Sequence, residues 1–207
     1  MTSPFRDHGG GDTGDLGSIA EYFESLSPKR LVVLGAPGSG KTALALELQT
    51  QLLRLSNEGQ GVPLPTVVNV ASYNPGKTWV SWLASQLALR YRFPEEAVQQ
   101  LVLDGRILPI IDGVDELERA GAAALMAELN VFIRERDSGR GDGERASMVL
   151  TCREAEYQDL AEPLDEATHI ELRALATRDV RDYLRASDIE IPDVLNSVLA
   201  NPLILSL

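Results

Sequence analysis

Short apolar runs that alternate with helical patterns predict an α/β protein, a parallel sheet covered by helices in three layers. Two further observations point the same way. A glycine-rich turn stands between the first apolar run and a helical pattern, and another run ends on a group of carboxylates, where an open parallel sheet forms its ligand crevice. Runs at 31–34, 66–71, 106–111 and 148–152, with a weaker one at 168–172, read as strands. Helices are expected at about 41–55, 77–91, 95–103, 118–136, 155–162 and 177–186.

Taken in order, residues 1–17 interleave Gly9, Gly10, Gly11, Gly14 and Gly17 with Asp7, Asp12 and Asp15, which leaves almost no apolar surface to bury. This composition reads as a flexible tail. Ser18, with Glu21 three residues on, has the pattern of a capping box opening a short helix whose Ile19, Tyr22, Phe23 and Leu26 share one face. Ser27-Pro28 ends it. Trp79, Trp82, Leu83 and Leu87 recur at helical spacing and read as core packing against the sheet. Pro109 lacks a ladder donor, so its strand is expected at an edge or interrupted there. Residues 137–145, rich in glycine and charge, read as an exposed loop. Near the C-terminus Val194, Leu195, Val198, Leu199, Leu203, Ile204, Leu205 and Leu207 form an apolar segment that simply stops, which suggests that a further domain follows in a longer parent.

Composition narrows the function. Of 207 residues, 19 are Lys or Arg and 31 Asp or Glu, a formal net charge of -12 that disfavours nucleic acid as the main ligand. The single cysteine, Cys152, excludes an intramolecular disulfide framework and fits a reducing, cytoplasmic setting. No apolar run approaches the roughly 18 residues of a membrane span, and the N-terminus lacks the order of a signal peptide.

The chemistry begins at Gly35-Ala36-Pro37-Gly38-Ser39-Gly40-Lys41-Thr42, an eight-residue phosphate-loop pattern between strand and helix. Glycines let backbone N–H groups turn around phosphate oxygens, and the following helix aims its positive end at the same anion. Lys41 is placed for the outer phosphates and Thr42 for a metal ion. In Ile110-Ile111-Asp112-Gly113-Val114-Asp115-Glu116, Asp112 stands at a strand end, placed to hold Mg²⁺ opposite Thr42 through water. Asp115 and Glu116 are candidates to orient or deprotonate an attacking water, the plainer alternative being solvated acids in a first helical turn. Arg153, after the strand Val149-Leu150-Thr151-Cys152, offers a bidentate fork to a γ-phosphate, unless it pairs with Glu154 or Glu156.

These motifs, in this order, resemble a NACHT-type module of the STAND class of P-loop ATPases, relatives of AAA+ proteins. The most specific mark is the small Gly113 after Asp112, followed by the pair Asp115 and Glu116. Asn201-Pro202-Leu203 is similar to the family's proline motif, which implies that Pro202 packs on adenine. The resemblance spans about residues 28–207 and implies a nucleotide-binding domain over 18–174 with sheet order 5-1-4-3-2. The start of a small helical domain would follow over 175–207. It further implies ATP or ADP with Mg²⁺ as ligands, slow hydrolysis, and a switch whose nucleotide state controls oligomerisation in immunity or antiviral defence. Self-association through this domain is the partner it implies, with no direct nucleic acid and no membrane. The winged-helix domain, sensor repeats and effector domain of the full pattern are missing from this sequence. Against the switch stand a nucleotide-gated assembly module with negligible hydrolysis and a small-molecule kinase; the latter fits poorly because nothing resembles an arginine-rich lid. A GTPase fits less well still, since Asp112-Gly113-Val114-Asp115 lacks the Asp-x-x-Gly pattern and no base-reading Asn-Lys-x-Asp occurs.

Overall fold

A computed structural model describes residues 5–7, 13–14, 16–57, 63–139 and 145–172. Five parallel strands form the body of the sheet: β3 (Arg30–Gly35), β4 (Leu64–Asn69), β5 (Ile107–Asp112), β6 (Met148–Cys152) and β7 (Thr168–Leu172). Their spatial order is β7-β3-β6-β5-β4, so in chain order the parallel strands run 5-1-4-3-2 as expected. Adjacency is set by register, with Val32 paired to Leu150 and His169, and Ile111 to Val68 and Leu150.

Strand alternation assigns each apolar residue to a face. Leu31, Val33, Ile110 and Val149 point to one side, where α1 (Ile19–Ser25) and α2 (Lys41–Asn57) cover them with Ile19, Phe23, Leu44, Leu48 and Leu52. Val32, Leu34, Ile111 and Leu150 point to the other, under α3 (Trp79–Tyr91), α4 (Glu95–Leu103) and α5 (Arg119–Gly139). The Trp79, Trp82, Leu83 and Leu87 stripe is buried there, with the two indoles stacked 5.6 Å apart. Both faces of β3 and β6 are covered, which is why these strands are continuous apolar runs without polar alternation. Among the described residues no helix is long and apolar enough to cross a membrane.

Several expectations are corrected. Residues 5–7 and 13–14 do not read as tail in the structure: β1 (Phe5–Asp7) pairs antiparallel with β7 and with β2 (Thr13–Gly14), continuing the sheet past its parallel edge. Backbone pairing with an open strand edge needs no apolar side chains, so composition misses it. Of the two expectations for Pro109, an edge or an interruption, the structure shows the second, with β5 inside the sheet. β5 pairs with β4 along its whole length, but its ladder to β6 begins only at Ile110 and Val149, after the proline. Ser18 makes no side-chain cap on α1, which is approached instead through a 3-10 turn at Leu16–Ser18. α5 continues to Gly139, so Asp137 belongs to a helix rather than a loop, and α6 (Glu154–Gln158) is shorter than expected. The helix expected at 177–186, the helical domain over 175–207 and Pro202 lie outside the described residues.

Candidate functional site

The loop of residues 36–40 leaves β3 at Gly35 and delivers its chain to α2 at Lys41. Gly38 and Gly40 adopt left-handed backbone, φ 71° and 96°, which turns the loop back on itself; the Ser39 N–H donates to the Ala36 carbonyl at 3.1 Å. Gly35 answers a different demand. A Cβ there would lie 2.5 Å from Ser39 Oγ and 3.0 Å from the carbonyl oxygen of Leu172 at the end of β7. The 17-residue α2 aims its positive end into the same space, so the loop is prepared for an anion before any side chain is counted.

Lys41 curls over this loop, its Nζ donating to the carbonyls of Gly35 and Ala36 at 3.0 and 3.1 Å. Thr42 Oγ1 donates to Asp112 Oδ2 at 2.9 Å across 70 residues of sequence. The two residues expected to share a metal are thus in contact. Asp112 ends β5 and is buried; its other carboxylate oxygen accepts from Thr151 Oγ1 at 2.6 Å. Gly113 follows with φ 85°, and a Cβ at that position would press on the Glu116 carboxylate at 3.0 to 3.3 Å. Its missing side chain therefore makes room for Glu116.

The one-turn 3-10 helix Val114–Glu116 then presents the two acids. Asp115 pairs with Arg153, Oδ2 to Nε at 2.7 Å, while Glu156 lies 3.6 Å from the same guanidinium. Glu116 accepts from Asn69 Nδ2 at 3.1 Å. Residues 37–42, Asp112, Gly113, Asp115, Glu116, Thr151 and Arg153 line a single open cleft of about 520 Å³. A second hollow of about 500 Å³ adjoins it through Pro37 and Arg153 and reaches Glu171 and Leu172.

Ten sequence-derived site residues line this cleft, residues 37–42 with Asp112, Asp115, Glu116 and Arg153, and two more, Gly35 and Ala36, lie at its rim in the adjoining hollow. Two others stand beside them: Asn69, which the sequence did not single out, and Thr151, which stands in a sequence motif with no role given to it. Asn69 is the last residue of β4 and sits in register with Asp112, and Thr151 faces the same carboxylate from β6. Each is a polar residue at the carboxyl end of a parallel strand, the signal by which Asn69 could have been found as Thr151 was. Cys152 takes no part: burial, with the charges of Asp115 and Glu156 nearby, pushes its thiol up to about 12.

The donor set suits a hard, hydrated cation bound mainly through phosphate. Thr42 and Asp112 supply the one hydroxyl and one carboxylate that Mg²⁺ takes from such sites, and among the described residues no cluster of three or more His, Cys, Asp or Glu forms an all-protein metal cage.

The family model described as NACHT domain matches residues 29–188. This chain belongs to the NACHT family. The NACHT domain is also similar in structure to the Aeropyrum pernix ORC1 protein, solved in complex with DNA, with a TM-score of 0.59 and 19% sequence identity. That match covers 89% of this chain and 53% of the other, so this chain spans about half the length of that protein. At this identity the likeness is one of fold. A search of curated proteins found no significant match. Family and fold together make this chain a nucleotide-binding module of the P-loop NTPase type.

Proposed function

We propose that this NACHT domain is an ATP-binding, slowly hydrolysing, Mg²⁺-dependent switch whose ADP or ATP state controls oligomerisation of a cytoplasmic immune or antiphage defence protein. The observation that carries the reading is the convergence of Lys41, Thr42, Asp112, Asp115, Glu116 and Arg153 on one cleft. Lys41 exchanges the loop carbonyls for the outer phosphates, and the loop N–H groups hold the remaining oxygens. Thr42 and Asp112 would hold Mg²⁺, which neutralises charge on the β- and γ-phosphate oxygens when bound. Arg153 takes the γ-phosphate with its fork and in doing so lets go of Asp115. Asp115 and Glu116 then orient the attacking water and accept its proton, Glu116 being held by Asn69. Pro202 packs on the adenine. With ADP no γ-phosphate competes for Arg153, and the pair with Asp115 stays closed. Oligomer formation through this domain is the output. The DNA of the Aeropyrum pernix complex is no guide to a ligand here, because a net charge of -12 opposes a polyanion.

The test is nucleotide content and turnover. Protein denatured after purification should release ADP, added ATP with Mg²⁺ should yield phosphate slowly, and Lys41→Ala should abolish binding. Unchanged nucleotide affinity in Lys41→Ala would refute the proposal. A second reading, an assembly module with negligible hydrolysis, draws support from Asp115 and Glu116 both being engaged by neighbouring side chains. Single-turnover hydrolysis that Asp115→Asn blocks would exclude it.

A further inference from the structure

We propose that Thr151 is a positioning residue for Asp112, fixing which carboxylate oxygen faces the metal. The inference rests on Thr42 and Asp112 being the Mg²⁺ site. Thr151 is the fourth residue of β6, fully buried, and β6 is hydrogen-bonded to β5 in a register that pairs Leu150 with Ile111. Thr151 and Asp112 therefore lie side by side at the ends of adjacent strands. The threonine hydroxyl makes two bonds there. It donates to Asp112 Oδ1 at 2.6 Å and accepts the Gly113 N–H at 3.1 Å.

This pair of bonds dictates the side chain's chemistry. A carboxylate only accepts and a peptide N–H only donates, so the group between them must do both, which among side chains of this size is a hydroxyl. With its proton committed to Oδ1, the hydroxyl pins that oxygen inward and leaves Oδ2 aimed at Thr42, 2.9 Å away. The same hydroxyl steadies Gly113 in its left-handed turn, from which the chain climbs to Asp115 and Glu116. Thr151 touches neither phosphate nor metal in this scheme. It acts through Asp112, as outer partners of metal-holding carboxylates do.

The test compares Thr151→Val, which keeps volume and branching but removes the hydroxyl, with Thr151→Ser, which keeps the hydroxyl. A fluorescent ADP analogue is titrated into wild type and both variants, in Mg²⁺ and in EDTA, with thermal unfolding recorded for each. The expected result is that the affinity gained from Mg²⁺ falls in Thr151→Val by roughly tenfold or more, the scale for loss of such outer partners. Affinity in EDTA should change less than about twofold on the same argument. Thr151→Ser should restore the Mg²⁺ gain. An undiminished gain in Thr151→Val overturns the proposal, as does an equal loss in Mg²⁺ and EDTA, which would mark a merely structural residue. If Thr151→Val fails to fold, Thr151→Ser decides: a Mg²⁺ gain lost despite its hydroxyl overturns the proposal and a retained one upholds it. A wild type that binds equally well with and without Mg²⁺ would instead sink the metal reading of Thr42 and Asp112.

Discussion

Two arginine–carboxylate pairs stand at opposite ends of the same parallel sheet, and they are built differently. Arg30 opens β3 with its side chain fully buried, its Nε donating to the Ala146 carbonyl at 2.9 Å and its Nη1 to the Asp165 carbonyl at 3.2 Å. Its Nη2 pairs with Asp137, which also accepts the Ala146 N–H at 2.8 Å and the Arg145 Nε at 3.1 Å. Arg153, just past the end of β6, is 42% exposed and has one close partner, Asp115. The lesson is that the ion pair itself does not decide the role. Where each guanidinium nitrogen is bonded and the arginine is fully buried, the pair is a fastening, tying β3, the approach to β6 and the last turn of α5 together. Where the guanidinium is half in solvent with donors to spare, a phosphate can compete for it.

The largest effect should come from cutting the fastening. Arg30→Ala removes a fully buried guanidinium, takes one of its donors from Asp137 and leaves the Ala146 and Asp165 carbonyls without theirs, and should cost roughly 3–5 kcal/mol in denaturant unfolding. A loss below about 1 kcal/mol, the range of an exposed pair, would erase the distinction drawn here.

Acid should attack the same end of the sheet. Burial alone would raise the Asp137 carboxyl, but its bonds to Arg30, the Ala146 N–H and Arg145, with the charge of Arg30, outweigh burial and hold it below the usual carboxylate range. A carboxyl depressed on folding contributes stability that is complete above its unfolded value, near 4, and is lost as pH falls through its folded value. Asp137→Asn should therefore be less stable at neutral pH yet show a flatter melting temperature between about pH 5 and 2. Parallel curves for wild type and variant would show that Asp137 does not set the acid response.

At the exchangeable end, Arg153→Ala should shift unfolding by less than Arg30→Ala does, since Arg153 is half in solvent, although it takes the close cation from an Asp115 side chain that is only 8% exposed. Discrimination of ATP over ADP should drop by roughly ten- to a hundredfold, the worth of a charge-assisted bond. A large stability loss with discrimination intact would reverse the assignment of the two pairs. The smallest effect concerns Cys152, whose thiol at about 12 should leave the native protein almost unlabelled by alkylating reagents at pH 8. Rapid native labelling would mean that the end of β6 opens readily.

The difference between the two ends also explains what sequence reading reached. The phosphate loop, Asp112 and the acids after it are contiguous motifs, and the strands carrying them are apolar runs, so pattern and local chemistry suffice. Asn69 could not be matched with Glu116 that way, because the contact exists only once β4 lies beside β5. Asp137 was hidden for the same reason. Glycine and charge after 136 favour a loop, but its partner Arg30 stands 107 residues away, and the helix continues to Gly139. Pro109 was legible as an interruption: a proline forbids a ladder bond, and β5 carries it where the ladder to β6 has not begun. The pairing of β1 with β7 is a property of an open strand edge, and composition does not carry it.

Gly35 has a consequence for anyone surveying variants of this domain. Motif logic files the first glycine of the loop with the phosphate, yet its missing side chain is occupied by Ser39 and by the backbone of β7 at Leu172. A methyl group there would have to displace Ser39 Oγ and press on the Leu172 carbonyl before any ligand arrived. Loss of nucleotide binding in such a variant would then reflect a displaced Ser39 and a pressed strand end as much as a lost phosphate contact, and a screen scored only on binding would not tell them apart.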